Sequence, residues 1–178
     1  MNLFLRAKHW QIFIPFFGSA ILFDMVTMFK DFFNLLFLGA VLGWLYSVAV
    51  GMQKMVPVTV KMKVTMFKVF FFIPIIYIIL ILIFMDFFSK SFGDPFFGPY
   101  SSIFVPLHLL SMFCMFYCLY FVAKTIKTVE LQRSVTFSEF AKEFFLAWFF
   151  PFGIWILQPR INKMIKQYAE NNENMVTE

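Results

Sequence analysis

Four polar residues, Asp24, Asn34, Asp86 and His108, interrupt or flank the long apolar runs of this 178-residue chain. An ionisable group inside hydrocarbon is expensive to hold, so each is a candidate for proton relay or cation binding and requires a partner. Asp24 stands five residues before the end of the first apolar run, and His108 five residues after the start of the fourth. At ~1.5 Å per helical residue, both would lie about 7–8 Å below one membrane surface. Asp24 and His108 are therefore the expected pair, with Asn34 and Asp86 nearer that surface. The plainer alternative pairs Asp24 with Lys30 and leaves Asn34 and Asp86 as ordinary interfacial groups.

The fourth run also carries Ser111, Met112, Cys114, Met115 and Cys118, which together with His108 offer soft donors on one broad helical face. Methionine occurs throughout the chain, however, and buried cysteine packs as a small hydrophobe. Neither a metal nor a cofactor is expected. The C-x3-C spacing differs from the C-x-x-C of thiol oxidoreductases. His9 and His108 are the only histidines, which excludes H-E-x-x-H, and neither a P-loop nor a G-x-S-x-G elbow occurs. No catalytic residues are expected, and the chain reads as a non-enzyme.

A third constellation concerns packing. Gly39, Gly43, Ser47 and Gly51 recur every four residues and share one helical face. Small residues at that interval let helices approach closely in lipid. They suit either self-association or packing within the chain's own bundle.

The elements that must position these residues are apolar helices. The chain is 61% hydrophobic and 14% charged, whereas soluble domains have roughly 45–50% apolar and about 25% charged residues. Thirty phenylalanines exceed what one small core could bury, so the bilayer is the natural solvent for the excess. Four stretches, residues 10–29, 32–52, 69–88 and 103–123, approach the ~20 apolar residues that cross a membrane. With both termini cytoplasmic, every lysine and arginine except Lys30 and Lys90 falls on the inner side, as the positive-inside rule requires.

The stretch from Phe144 to Pro159 is apolar but short, and it contains Pro151. A fifth crossing there would export Arg160, Lys163 and Lys166 and weaken the charge bias. Thr136 and Glu139 have capping-box spacing, which predicts a helix from Phe137. Phe137, Phe140, Ala141, Phe144, Phe145 and Trp148 then form one apolar stripe, with Glu139, Lys142 and Glu143 on the polar side. The expected form is an interfacial helix, a shallow dip at Pro151, and a second amphipathic helix after Pro159. Phe137, Phe140, Phe144, Trp148, Trp155, Arg160, Lys163 and Lys166 would lie at the membrane interface. Residues 58–66 alternate apolar and polar, suiting a loop on headgroups or, less simply, an edge strand.

The expected architecture is thus an all-α integral membrane protein. Residues 1–135 form a four-helix transmembrane domain, residues 136–168 re-entrant or interfacial amphipathic helices, and residues 169–178 a disordered acidic tail. The alternative has five transmembrane helices. Phe, Ile, Lys, Asn and Met enrichment suggests an AT-rich bacterial genome and hence the inner membrane. The basic loops suit anionic headgroups rather than nucleic acid. The expected role is a non-catalytic accessory, scaffold or immunity-type subunit that contacts another membrane protein or itself. Alternatives are an oligomeric channel, small transporter or membrane-disrupting effector, and then an embedded enzyme with an outer Asp/His site.

Overall fold

The computed structural model describes Lys8, Trp10, Gln11, Ile14, residues 30–87 and residues 100–177, with side chains over 35–84 and 100–174 in the two longer stretches. Five α-helices occupy those stretches: α1 (Lys30–Gly51), α2 (Val64–Phe87), α3 (Ser101–Leu131), α4 (Phe137–Trp148) and α5 (Phe150–Thr177). A 3-10 turn, Met52–Met55, follows α1. The described residues contain no strand. Residues 56–63 are turns and coil, and the alternating stretch enters α2 at Val64, so the edge-strand alternative is set aside.

Among the described residues, three helical segments are long and apolar enough to cross a membrane: Leu35–Met55, Val64–Phe84 and Ser101–Leu131. This is the make-up of a helical membrane protein. The first expected crossing, residues 10–29, lies outside the described residues apart from Trp10, Gln11 and Ile14. Helix α3 has 31 residues, or roughly 46 Å at helical rise, and so outruns a ~30 Å hydrocarbon layer. Its last turns hold Lys124, Lys127 and Glu130. The helix thus runs past residue 123, where the apolar stretch read from the sequence ends.

Contacts divide the chain into two units, Lys63–Tyr120 and the remainder, Met1–Met62 with Phe121–Glu178. In the first unit, α2 and the first part of α3 run antiparallel and meet through aromatic rings. Phe70 packs edge-on against Tyr117, Tyr77 lies beside His108, and Phe84 packs on Phe104 at centroid distances of 4.7, 5.5 and 4.5 Å. Phe70, Tyr77 and Phe84 recur every seven residues, so one seam of α2 carries the contacts. Pro74 sits inside α2 without ending it.

In the second unit, Trp44, Leu45, Val48, Ile126, Phe140, Ile154, Leu157 and Ile161 are fully or almost fully buried. Helix α3 stops at Gln132, which takes the left-handed conformation (φ 51°). Its side-chain amide donates to the carbonyls of Val129 at 2.7 Å and Met55 at 3.2 Å, using acceptors that the helix end leaves open. Helix α4 begins at Phe137 as its capping box predicts, with the Glu139 carboxylate accepting from the Thr136 amide at 2.8 Å.

The α4–α5 connection differs from the expected dip. The helices are separated by one residue, Phe149, and α5 is continuous from Phe150. Pro151 stands in the first turn of α5, where its missing amide hydrogen would have had no helical acceptor anyway. Pro159 lies inside α5 but on its exposed side. Residues 169–177, expected as acidic coil, continue the helix, aided by the spaced pair Lys166–Glu170 at 3.7 Å.

Candidate functional site

The densest polar structure lies where the end of α3 meets α4 and α5. Lys127 and Glu130 come from α3, Glu143 from α4 and Arg160 from α5. Lys127 Nζ donates to Glu130 Oε2 at 2.8 Å, and Arg160 Nη2 donates to both Glu130 oxygens at 2.8 Å. Arg160 Nη2 also donates to Glu143 Oε1 at 2.8 Å, and that oxygen lies 3.6 Å from Lys127 Nζ. The four side chains thus close a ring of ion pairs that links three helices. Burial works against the Arg160 charge, but hydrogen bonds and attraction from Glu130 and Glu143 outweigh it and raise its pKa.

Glu143 is only 2% exposed, and its Oε2 has no hydrogen-bond partner among the described residues. Its position follows from how α4 sits. Phe140, Glu143 and Ala147 form the buried line of the helix. Phe137, Phe145 and Trp148 are exposed. At ~100° per residue, the apolar stripe is centred about a quarter turn from the buried line. The helix packs on its flank and leaves its aromatic stripe open.

Two expectations change accordingly. Phe140 is an interior residue with no exposed surface rather than an interfacial one. Glu143, placed by periodicity on the solvated side, is interior because Arg160 and Lys127 supply its counter-charge.

A second polar link lies within the same unit. Trp44 Nε1 donates to Gln158 Oε1 at 2.7 Å, and both side chains are wholly buried. The Gln158 amide passes a further bond to Asn162 at 3.1 Å. Trp44 also meets Phe150 edge-to-face, with centroids 5.3 Å apart. Helix α5 is therefore tied to α1 by a hydrogen bond and to α3 and α4 by charge. At the corner the helices come very close. A Cβ on Gly153 would lie 1.7 Å from the Leu146 carbonyl oxygen, which only glycine avoids. The opposite flank exposes Phe145, Trp148, Phe149, Phe152, Trp155 and Ile156, with Phe152 at 75%.

Beside the ring, α3 and α5 border a cleft of about 610 Å³ lined by Met55, Val129, Glu130, Gln132, Arg160, Lys163, Met164, Gln167, Tyr168 and Asn171. Of the expected interfacial residues, Phe137, Trp148 and Trp155 are exposed and Phe144 is half-buried. Lys163 and Lys166 are exposed, whereas Arg160 is drawn into the ring.

The polar group expected from Asp24, Asn34, Asp86 and His108 is described in part. Asp24 lies outside the described residues, as do the side chains of Asn34 and Asp86. His108 Nδ1 is 2.9 Å from the Tyr77 hydroxyl, a partner that the sequence did not suggest. Cys114 and Cys118 are free and buried, together with Ser111, while Met112 points outward, which splits the proposed soft-donor face. No cluster of metal-ligating side chains occurs among the described residues. In the small-residue row Ser47 is buried, and Gly39 is exposed with open space above its Cα.

No protein-family model, curated protein or solved structure matches the chain.

Proposed function

We propose that the protein is a non-catalytic inner-membrane subunit with four crossings, whose α4–α5 hairpin forms a platform on the cytoplasmic face. The observation that carries this reading is the two-sided hairpin. One flank is fixed to α1 and α3 by Gln158 and the ion-pair ring, and the other presents Phe145, Trp148, Phe149, Phe152 and Trp155. The two tryptophans favour headgroup depth, and the phenylalanines beside them suit the apolar face of a helix lying in the interface. The backbone between Phe150 and Gln158 is helical, so its hydrogen bonds are satisfied within the helix at headgroup depth.

The platform rests on lipid while the intramembrane helices contact another membrane protein. A second reading, an oligomeric channel or effector, draws on the open face at Gly39.

Single cysteines at Ser138 and Thr177, in a protein whose Cys114 and Cys118 are replaced by alanine, test the platform. Neither should react with an impermeant thiol reagent until the membrane is opened. Reaction of the Thr177 position alone in sealed cells would mean a fifth crossing. A photo-crosslinker at Gly39 tests the role: adducts with a different membrane protein support a subunit, and adducts only between copies, with conductance in planar bilayers, support the channel.

A further inference from the structure

The α3–α5 cleft has an uneven supply of hydrogen-bonding groups. Its one acid, Glu130, is already spent: Oε1 accepts from Arg160, and Oε2 accepts from both Arg160 and Lys127. Its donors are not. Among the described residues Arg160 donates through Nη2 alone, which leaves Nη1 and Nε for a ligand. Lys163 has no ion-pair partner among the described residues, and Gln167, Tyr168 and Asn171 add polar groups along the same side of α5. The guanidinium is held from behind by two carboxylates, one of them buried, so its free edge is fixed rather than mobile. That arrangement suits a planar or tetrahedral anion, which guanidinium recognises through paired hydrogen bonds.

We propose that this cleft binds a phosphate group, with Arg160 and Lys163 as its main contacts and Tyr168, Gln167 and Asn171 around it. At about 610 Å³ the cleft has the size of a small-ligand site. Met55, Val129 and Met164 provide an apolar side to the lining. An anionic phospholipid supplies both features, with its phosphate on the cations and the start of an acyl chain against the methionines. The source of the phosphate rests on the cytoplasmic-face platform; the binding chemistry does not.

The test compares two substitutions on α5 that remove the same charge. Lys163 lines the cleft, whereas Lys166 lies outside it and is only loosely paired with Glu170. Full-length protein, Lys163→Gln and Lys166→Gln are placed in nanodiscs containing phosphatidylglycerol or phosphatidylcholine alone, and retained lipid is counted by native mass spectrometry. Phosphatidylglycerol should be retained over phosphatidylcholine. Lys163→Gln should weaken that retention about tenfold, the size of one lost charge-assisted hydrogen bond. Lys166→Gln should change it less than about twofold, as a solvated charge does.

A second arm titrates the detergent-solubilised protein with inorganic phosphate. Phosphate binding that depends on Lys163, without lipid preference, keeps the site and gives it a soluble ligand. Equal effects of both substitutions, or no preference in either arm, overturn the proposal. Cysteine labelling decides the platform separately, so the two failures are distinguishable.

Discussion

The α2–α3 hairpin and the α4–α5 hairpin solve the same problem with different chemistry. Between α2 and α3 the recurring contacts are ring on ring, with Phe70, Tyr77 and Phe84 along one seam. Ile76, Ile79, Leu82, Leu109 and Phe113 around that seam are exposed. Such a helix is apolar all round, and lipid is as good a neighbour as another leucine, so its packing is specified weakly. Helices α4 and α5 are fixed by groups that tolerate few alternatives: a carboxylate needing its guanidinium, an amide needing its indole, and a glycine against a carbonyl. Specificity in this chain is concentrated in its polar hairpin.

The contrast can be broken at its strongest point first. Gly153→Ala drives a Cβ into the Leu146 carbonyl oxygen, a backbone atom that cannot swing aside. The corner should open, with a loss of roughly 3 kcal/mol or more, at the upper end of overpacking penalties. Thermal unfolding in detergent measures it, and an unchanged midpoint would mean that the close approach is not maintained.

Glu143→Gln comes next. It keeps the volume and removes the charge that balances Arg160 and Lys127, for a cost of roughly 2–3 kcal/mol. If stability holds, the ring is not a staple.

Trp44→Phe should cost about 1–3 kcal/mol, because it strands the buried Gln158 oxygen. Adding Gln158→Leu should recover part of that loss, and a double-mutant cycle measures the coupling.

A smaller effect belongs to the start of α4. The Glu139 carboxyl is pulled from 4.5 to about 2, first by the Arg133 hydrogen bond and then by the Thr136 amide and hydroxyl. A carboxyl lowered on folding stabilises fully above its unfolded pKa and loses that contribution as pH falls through the folded value. The first turn of α4 should therefore hold above pH 4.5 and weaken towards about pH 2. Amide hydrogen exchange at Phe140 reads this, and Glu139→Gln should abolish the pH dependence.

The least effect is expected on the other side of the comparison. Phe113→Leu, exposed and loosely edge-on to Phe70 at 6.5 Å, should shift stability by no more than about 0.5 kcal/mol. A loss as large as that of Glu143→Gln would erase the distinction between the hairpins.

What could be read from the sequence follows the same division. Apolar length located α1, α2 and the first part of α3, because hydrocarbon imposes length directly. The Thr136–Glu139 spacing placed the start of α4 correctly. Pro151 misled, since a proline is a breaker within a helix but a good residue in a first turn. The stripe from Phe137 to Trp148 is exposed at Phe137, Phe145 and Trp148, half-buried at Ala141 and Phe144, and interior at Phe140. Periodicity finds a face without saying what covers it.

Glu143 could have been noticed, because Phe140, Glu143 and Ala147 are themselves helically spaced. Arg160 and Glu130 could not: thirty residues separate them, and only the fold brings them together. Gln132 carries no helix-stop signature of the glycine kind, so the end of α3 was equally hidden.

The Trp44–Gln158 bond also sets an order of events during synthesis. Its partners are separated by 114 residues. At roughly 5–20 residues per second, translation leaves the indole donor waiting on the order of ten seconds for its acceptor. Through that interval α1 is complete but lacks its buried partner, and a chain broken before residue 158 never gains it. Helix α5 therefore locks onto α1, α3 and α4 late, and a product truncated before residue 158 leaves the Trp44 indole without its acceptor.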